Sequence, residues 1–343
     1  MGSQDMKAIL MTLADGRRLG PAASQAAFDL IMEGQASAAQ IGAFLMVLRV
    51  RGETVDEITA GARALRRRMT KIDAPAGAID TCGTGGDAKG TFNISTMAAI
   101  VVAACGVPVA KHGNRALSSR SGSADLLAAL GVNIEAPPEL VSKALQSTHI
   151  GFLMAPRHHS AMRHVAEARR ELGTRTIFNL LGPLANPAQA RRQLLGVFAE
   201  QWLEPMAEVL GHLGCERAWV VHGADGLDEL TTTGATRVAE LKEGELRCFE
   251  VVPEEAGLAR AKLADLAGGT PEENAAFATA LLEGAPGPLR DIVLLNAAAA
   301  LIVAERVATL EEGVARAAEA IDAGKAKQTL SELVRITNEG GEV

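Results

Sequence analysis

Tyrosine is absent from the 343 residues, and eight phenylalanines with two tryptophans bring the aromatic content to only 3%. Base-stacking platforms for single-stranded nucleic acid are therefore scarce, and the core has to be aliphatic. A basic excess is lacking too, the formal net charge being −7. General nucleic-acid binders and binders of anionic membranes displace counterions with basic surface, so neither class of partner is expected. Cysteine is sparse: Cys82, Cys105, Cys215 and Cys248 form no CxxC pair, which indicates neither a zinc ribbon nor a disulfide framework. A reducing, cytoplasmic location fits best. The longest apolar stretch, Met97 to Ala110, is broken by Gly106 and Pro108 and is too short to span a bilayer. The opening MGSQDMKAILMTLADGRR has no uninterrupted apolar core of signal-peptide length, so no secretory route is expected.

What remains is a chain with 48% hydrophobic residues, long enough for two domains or one elaborate one. The first seventy residues read as helical throughout. Ser37-Ala-Ala-Gln40 and Thr54-Val-Asp-Glu57 have the spacing of capping boxes, in which hydroxyl and Glu/Gln side chains satisfy each other's helix-end N–H groups. Arg66, Arg67 and Arg68 close the second of these helices, where the macrodipole favours cations; a structural role is expected in preference to an anion site.

After the linker DAPAGA (73–78) the pattern changes to short apolar segments, polar turns and helices. Strands are expected just before Asp80 and over Val107–Ala110, Gly151–Met154, Leu194–Val197 and Ala218–Val221. Helices are expected over Asn93–Cys105, after residue 123, and from Glu204 to Leu213. Beyond residue 270 the pattern is helical again, and IVLLNAAAALIVA (292–304) is apolar almost all round, hence buried. Repeated βα units imply a largely parallel sheet covered on both faces. The fold class is therefore α/β: a small all-helical N-terminal domain, residues 1–73, joined to a larger α/β domain, residues 74–343, with a mostly parallel central sheet. Ligands of such sheets sit outside the carboxyl ends of the strands, where this chain's unusual residues lie.

The turn DTCGTGGDAKGT (80–91) has four glycines. Glycine permits positive φ and leaves successive N–H groups free to face an anion, and a following helix N-terminus adds its dipole. Neither GxGxxG nor GxxxxGK[ST] is present, so the phosphate reading leans on the polar run Thr91, Asn93, Ser95, Thr96 that follows. The second loop, KHGNRALSSRSGS (111–123), offers Lys111, Arg115 and Arg120 with Asn114, Ser118, Ser119, Ser121 and Ser123. Cations suit phosphate oxygens, while hydroxyls and amide suit a sugar. His112 there reads as a binding group: it could act as a base, but a hydrogen-bonding or packing role fits as well. In GADGLDELTTTG (223–234), Asp228 and Glu229 with Asp225 are candidates for magnesium, which takes one or two carboxylates plus phosphate oxygens. His158, His159 and His164 lack cysteine or HExxH company, which disfavours zinc. Arg169, Arg170 and Arg175 present either forks for a carboxylate or a solvated basic helix face. Cys82 and Cys105 read as small buried hydrophobes.

With these residues in view, the chain resembles the anthranilate phosphoribosyltransferase family. The marks are DTCGTGGD (80–87), FNIST (92–96), KHGNRALSS (111–119), SGSAD (121–125), RTIFNLLGPLANP (175–187) and DELT (228–231), spread over essentially the whole length. The resemblance implies transfer of a phosphoribosyl group from phosphoribosyl pyrophosphate to the amine of anthranilate, a pentosyl transfer in tryptophan biosynthesis. It implies that the turn containing Gly83, Gly86 and Asp87 cradles the pyrophosphate, continued by Thr91, Asn93, Ile94, Ser95 and Thr96. Lys111, His112, Gly113, Asn114, Arg115, Ser118, Ser119 and Ser123 would contact phosphates and ribose. Asn114 and Arg169 would touch anthranilate, with His112, His159 and Gly182 lining its approach. Two Mg2+ ions per monomer are implied, one at Ser95 and one at Asp228 and Glu229. The family fold implies that about 169–190 return to the helical domain, and that homodimers form through it. No single acid or base is expected to be indispensable. Ser160 departs from the family, which often has proline after the histidine. Two alternatives share the fold: a pyrimidine nucleoside phosphorylase, from which KHGN and GPLANP distinguish this chain, and a non-catalytic nucleic-acid-binding relative, against which its acidity speaks.

Overall fold

The computed structural model describes residues 5–116 and 120–340. Four helices open the chain: Met6–Ala14, Pro21–Met32, Ala38–Arg51 and Val55–Arg68. Both expected capping boxes form, Ser37 with Gln40 and Thr54 with Glu57. The arginines that end the fourth helix are occupied structurally. Arg66 donates to the carbonyls of Leu184 (2.6 Å) and Leu213 (3.0 Å), while Arg67 and Arg68 pair with Asp29, and Arg68 also with Glu33. Phe28 stacks edge-on against Phe44 at 5.4 Å and Phe178 at 6.2 Å. Phe178 comes from the later segment containing helices Arg163–Leu172 and Phe178–Leu181, whose Val165, Phe178 and Leu181 are buried in the core of the first four helices.

Seven strands form one sheet: β1 Ile79–Gly83, β2 Val109–Gly113, β3 Ile150–Met154, β4 Arg192–Gly196, β5 Arg217–Gly223, β6 Thr236–Lys242 and β7 Glu245–Val251. Their order is β3-β2-β1-β4-β5-β6-β7. The first five are parallel, and β6 and β7 run antiparallel. Strand residues alternate between two cores, as the period of two requires. Leu194, Trp219 and Val221 face the core of helices Ile94–Ala104 and Pro288–Val303, and Leu195, Ala218 and Val220 face the core shared with the N-terminal helices. Helix Pro288–Val303 is buried from Ile292 through Val303, as its all-round apolarity requires.

Two features differ from the sequence expectation. The second strand begins two residues later and ends three residues later than Val107–Ala110, because it pairs with β3 along its whole length. Lys111, His112 and Gly113 are thus strand residues, not part of a turn. The β6–β7 hairpin was not anticipated. Its turn residues Glu243 and Gly244 both have positive φ (53° and 85°), the geometry that joins twisted strands tightly, but β7 is an exposed edge carrying Glu245, Arg247 and Glu250. Charge on an edge strand prevents edge-to-edge association and also hides the strand from an apolar pattern.

Chain order reverses between β1 and β4, which lie side by side with Gly83 opposite Gly196. This switch point leaves a crevice at the carboxyl ends of the strands.

Candidate active site

The glycine turn begins at Gly83 and is held at several points. Thr84 N–H donates to the Gly196 carbonyl at 2.9 Å, Phe198 N–H donates to Thr84 Oγ1 at 3.0 Å, and Gly85 N–H donates to Asp228 Oδ2 at 2.7 Å. Gly85 and Gly86 have φ of 68° and 78°, the left-handed region that glycine enters without strain. Gly83 and Gly196 serve close approach: a Cβ on Gly83 would overlap the Asp228 carboxylate, and one on Gly196 would overlap the Asp228 carbonyl. Asp87 Oδ1 accepts from Lys89 N–H at 3.3 Å. Thr91 bridges to Ala267 and closes the far side of the turn.

Asp228 is buried, and Glu229 half-buried but enclosed enough for desolvation to dominate. Burial first, then repulsion from Asp87, pushes the Asp228 carboxyl well above the usual carboxylate range. Burial and then repulsion from Asp228 do the same to Glu229. Glu229 Oε1 accepts from Ser95 N–H at 3.1 Å, at the start of helix Ile94–Ala104. Two crowded carboxylates beside a serine hydroxyl are oxygen donors suited to a hard cation such as magnesium, which would relieve their mutual repulsion. Among the described residues no group of three or more His, Cys, Asp or Glu is arranged to hold a metal ion, so such an ion would need further oxygens from a ligand.

Asn93 caps that helix by position. Its Nδ2 donates to the Ser121 carbonyl at 3.1 Å, and its Oδ1 accepts from Asn274 Nδ2 at 2.9 Å. Ile94 lies in a small core with Leu227, Leu266 and Ile292, and Thr96 is also buried, so contact from either to a ligand would pass through the backbone. Lys111 is 2% exposed; its Nζ donates to the Thr81 carbonyl at 2.6 Å and to Ser95 Oγ at 3.4 Å. Burial lowers its pKa, opposed by the charge of Asp80.

In the second loop, Asn114 Oδ1 accepts from Arg115 N–H at 2.8 Å, and Arg115 pairs with Asp125 at 3.2 Å. Asp125 Oδ2 also accepts from the N–H groups of Ala116 and Gly122, each at 2.9 Å. Gly113 leaves space that a Cβ would take from Ser123 Oγ, 2.6 Å away, and from Phe152. Ser118 and Ser119 lie outside the described residues.

Beside this polar arm opens a cavity of about 700 Å3, lined in part by Gly83, His112, Gly113, Asn114, His159, Arg169 and Gly182. These expected site residues, dispersed in sequence, therefore meet. His112 and His159 are buried with their Nε2 atoms 3.2 Å apart, so one donates to the other. Burial above all pushes the His112 pKa well down, and it lowers that of His159 to about 4, keeping both rings neutral near pH 7. Arg169 lies with its Cζ 5.5 Å from the Phe178 ring centre, and burial lowers its pKa. Ser160 also lines the cavity and opens a short 3-10 turn, Ser160–Met162.

Two pairings escaped the sequence reading. Asp80, wholly buried at 0% exposure, accepts from His112 N–H at 3.2 Å and from Asn186 Nδ2 at 2.7 Å. Asn186 Nδ2 also reaches the Ala110 carbonyl at 2.8 Å, which ties GPLANP to β1 and β2. Arg175 donates from Nη2 to the Gly86 carbonyl. A buried acid within a strand and an asparagine between prolines leave no pattern by which to pair them.

Comparison with known proteins completes the picture. Residues 7–69 match the helical bundle domain, and residues 76–327 the a/b domain, of a glycosyl transferase family. An anthranilate phosphoribosyltransferase of Rhodospirillum rubrum is 62% identical over 334 residues, covering 97% of this chain and 96% of the relative. The crystal structure of anthranilate phosphoribosyltransferase from Thermus thermophilus superposes with a TM-score of 0.91 at 48% identity, covering 96% of this chain and 99% of that one. The Saccharomyces cerevisiae enzyme in complex with PRPP and Mg gives 0.89 at 29% identity, covering 97% and 98%.

Proposed function

The chain belongs to the anthranilate phosphoribosyltransferases of this glycosyl transferase family, and from that premise we propose how its own residues carry out the transfer. The reaction moves the phosphoribosyl group of phosphoribosyl pyrophosphate onto the anthranilate amine: a C1–N bond forms, the C1–O bond to pyrophosphate breaks, and the amine loses a proton. The observation that carries the reading is the junction of two unlike sites, a backbone-lined turn beside crowded carboxylates and a cavity of about 700 Å3 containing Arg169.

On the donor side, Gly83, Gly86 and Asp87 would receive the pyrophosphate, with Thr91 and Asn93 to Thr96 continuing the cradle. The N-terminus of helix Ile94–Ala104 adds partial positive charge where negative charge grows. Ser95, Asp228 and Glu229 would hold magnesium, two ions per monomer in our reading. When bound, magnesium neutralises charge on the departing pyrophosphate. Lys111 sits behind Ser95 and braces its hydroxyl, while Gly113, Asn114, Arg115 and Ser123, with Ser118 and Ser119, would border phosphate and ribose.

On the acceptor side, Arg169 would take the carboxylate of anthranilate as a planar fork. Asn114, Gly182 and the neutral pair His112 and His159 would line the ring's approach. An aromatic amine is neutral at physiological pH and attacks without a strong base. Proximity and charge stabilisation then dominate the rate, and no one side chain is indispensable as a base. The helical unit, residues 1–73 with about 169–190, would close on the α/β unit over both substrates.

We further propose a homodimer formed through the helical unit. Met11 and Val50, on the first and third helices, are 69% and 81% exposed, large apolar side chains that a second copy would cover.

Incubation with anthranilate, phosphoribosyl pyrophosphate and magnesium should release pyrophosphate in equal amount to phosphoribosylated anthranilate. Phosphate-dependent cleavage of thymidine or uridine without that transfer would overturn the assignment.

A further inference from the structure

We propose that Arg175 is a positioning residue for the donor site, a strap that holds the glycine turn from the helical side of the cleft. The inference rests on the phosphoribosyl pyrophosphate reading of that turn. The hydrogen bonds on Thr84 and Gly85 come from the α/β unit: Gly196 at the end of β4, Phe198 just after it, and Asp228 after β5. Arg175 instead follows helix Arg163–Leu172, which ends at Gly173 (φ 56°) and carries Arg169.

Its guanidinium makes two contacts. Nη2 donates to the Gly86 carbonyl, and Cζ lies 4.4 Å from the centre of the Phe198 ring. Phe198 is itself bonded through its N–H to Thr84 Oγ1, so Arg175 braces both ends of the segment Thr84–Gly86. Among the described residues no carboxylate lies within ion-pair distance of it. Its charge is therefore not neutralised by a neighbouring carboxylate and stays available to an anion at the turn.

The consequence follows from the planar trans peptide, whose C=O and N–H point in opposite directions. Fixing the Gly86 carbonyl on Arg175 fixes the Asp87 N–H on the other side. Among the described residues neither the Gly86 nor the Asp87 N–H meets an acceptor. Both donors are thus unspent, and Arg175 sets the direction of the Asp87 N–H. Glycine at 86 suits this contact because its φ of 78° is one that a residue with a side chain enters only with strain.

Arg175→Ala and Arg175→Lys, made in the full chain, test the assignment. Arg175→Ala should raise the KM for phosphoribosyl pyrophosphate about tenfold, the size expected for one charge-assisted hydrogen bond, with the KM for anthranilate changed less than twofold. Binding of inorganic pyrophosphate with magnesium, followed by calorimetry, should weaken in parallel; this readout stands even if anthranilate is not the acceptor. Arg175→Lys keeps a donor but loses the planar stack, and should recover part of the loss. Equal rises in both KM values with a lowered Tm in both variants would mean a merely structural role, and an unchanged donor KM would remove the assignment; either overturns the proposal.

Discussion

Gly85 N–H donates to Asp228 Oδ2 at 2.7 Å, joining two loops that lie 143 positions apart in the chain. The bond needs β1, β4 and β5 in register, and it needs Gly196 between them, where the Asp228 carbonyl occupies the space of a side chain.

Replacement of Gly196 by alanine should therefore cost at least about 2 kcal/mol, because backbone must shift to admit the methyl group. Gly83→Ala meets the Asp228 carboxylate, which can rotate away, so it should lose activity more than stability. Thermal unfolding and steady-state rates measured on both variants separate the two; a fully stable Gly196→Ala would show that the loops are not packed as described.

The buried clamp of Asp80 and Asn186 gives a second expectation. Asn186→Ala leaves Asp80 Oδ2 and the Ala110 carbonyl without their shared donor. An unsatisfied buried carboxylate costs about 2 to 4 kcal/mol, so denaturant unfolding should show a loss in that range, and a loss below about 0.5 kcal/mol, outside the usual ~1–3 kcal/mol cost of an unmet buried acceptor, would contradict the account.

Much of this was legible in the sequence. The capping residues Ser37, Gln40, Thr54 and Glu57 announce their helices because the motif is local. Asp228 and Glu229 stand out because loops after strands gather at one sheet edge, while His159, Arg169 and Gly182, which share the 700 Å3 cavity with Gly83, His112, Gly113 and Asn114, are legible only through the resemblance. What stayed hidden depends on long-range pairing. Lys111 and His112 look like turn residues until β3 claims their backbone, and the charged edge strand β7 has no apolar alternation to reveal it. Arg175 reads in the sequence either as a fork for a carboxylate or as part of a solvated basic face, yet it holds a carbonyl, a partner with no sequence signature.

Acid should destabilise the fold through the histidine pair. In the unfolded chain both rings titrate near pH 6.5, while in the fold His112 is shifted well down and His159 to about 4. Protons therefore favour the unfolded state: the contribution is full above pH 6.5 and is lost as the pH falls toward 4, by up to about 1.4 kcal/mol per pH unit for each ring. The raised carboxyls of Asp228 and Glu229 take up protons in the fold and act in the opposite sense over the same window, so the histidine contribution is read as a difference between wild type and variant. His112→Gln with His159→Gln should lose less unfolding free energy than the wild type as the pH falls from 6.5 to 4, and an identical pH dependence in the two would refute the assignment.

Light scattering tests the proposed dimer. Met11→Glu with Val50→Glu places charges on the exposed apolar surface of the first and third helices and should halve the mass in solution without altering the helical signal. A wild-type chain that is monomeric at micromolar concentration would contradict the proposal.

The central claim is that the glycine turn with Asp228 and Glu229 forms the donor site of an anthranilate phosphoribosyltransferase. Anthranilate fluorescence, recorded as phosphoribosyl pyrophosphate and magnesium are added separately and together, tests it most directly. The account predicts a decline only when both are present, abolished by Asp228→Ala with Glu229→Ala in a chain that remains folded; turnover retained by that double variant would contradict it.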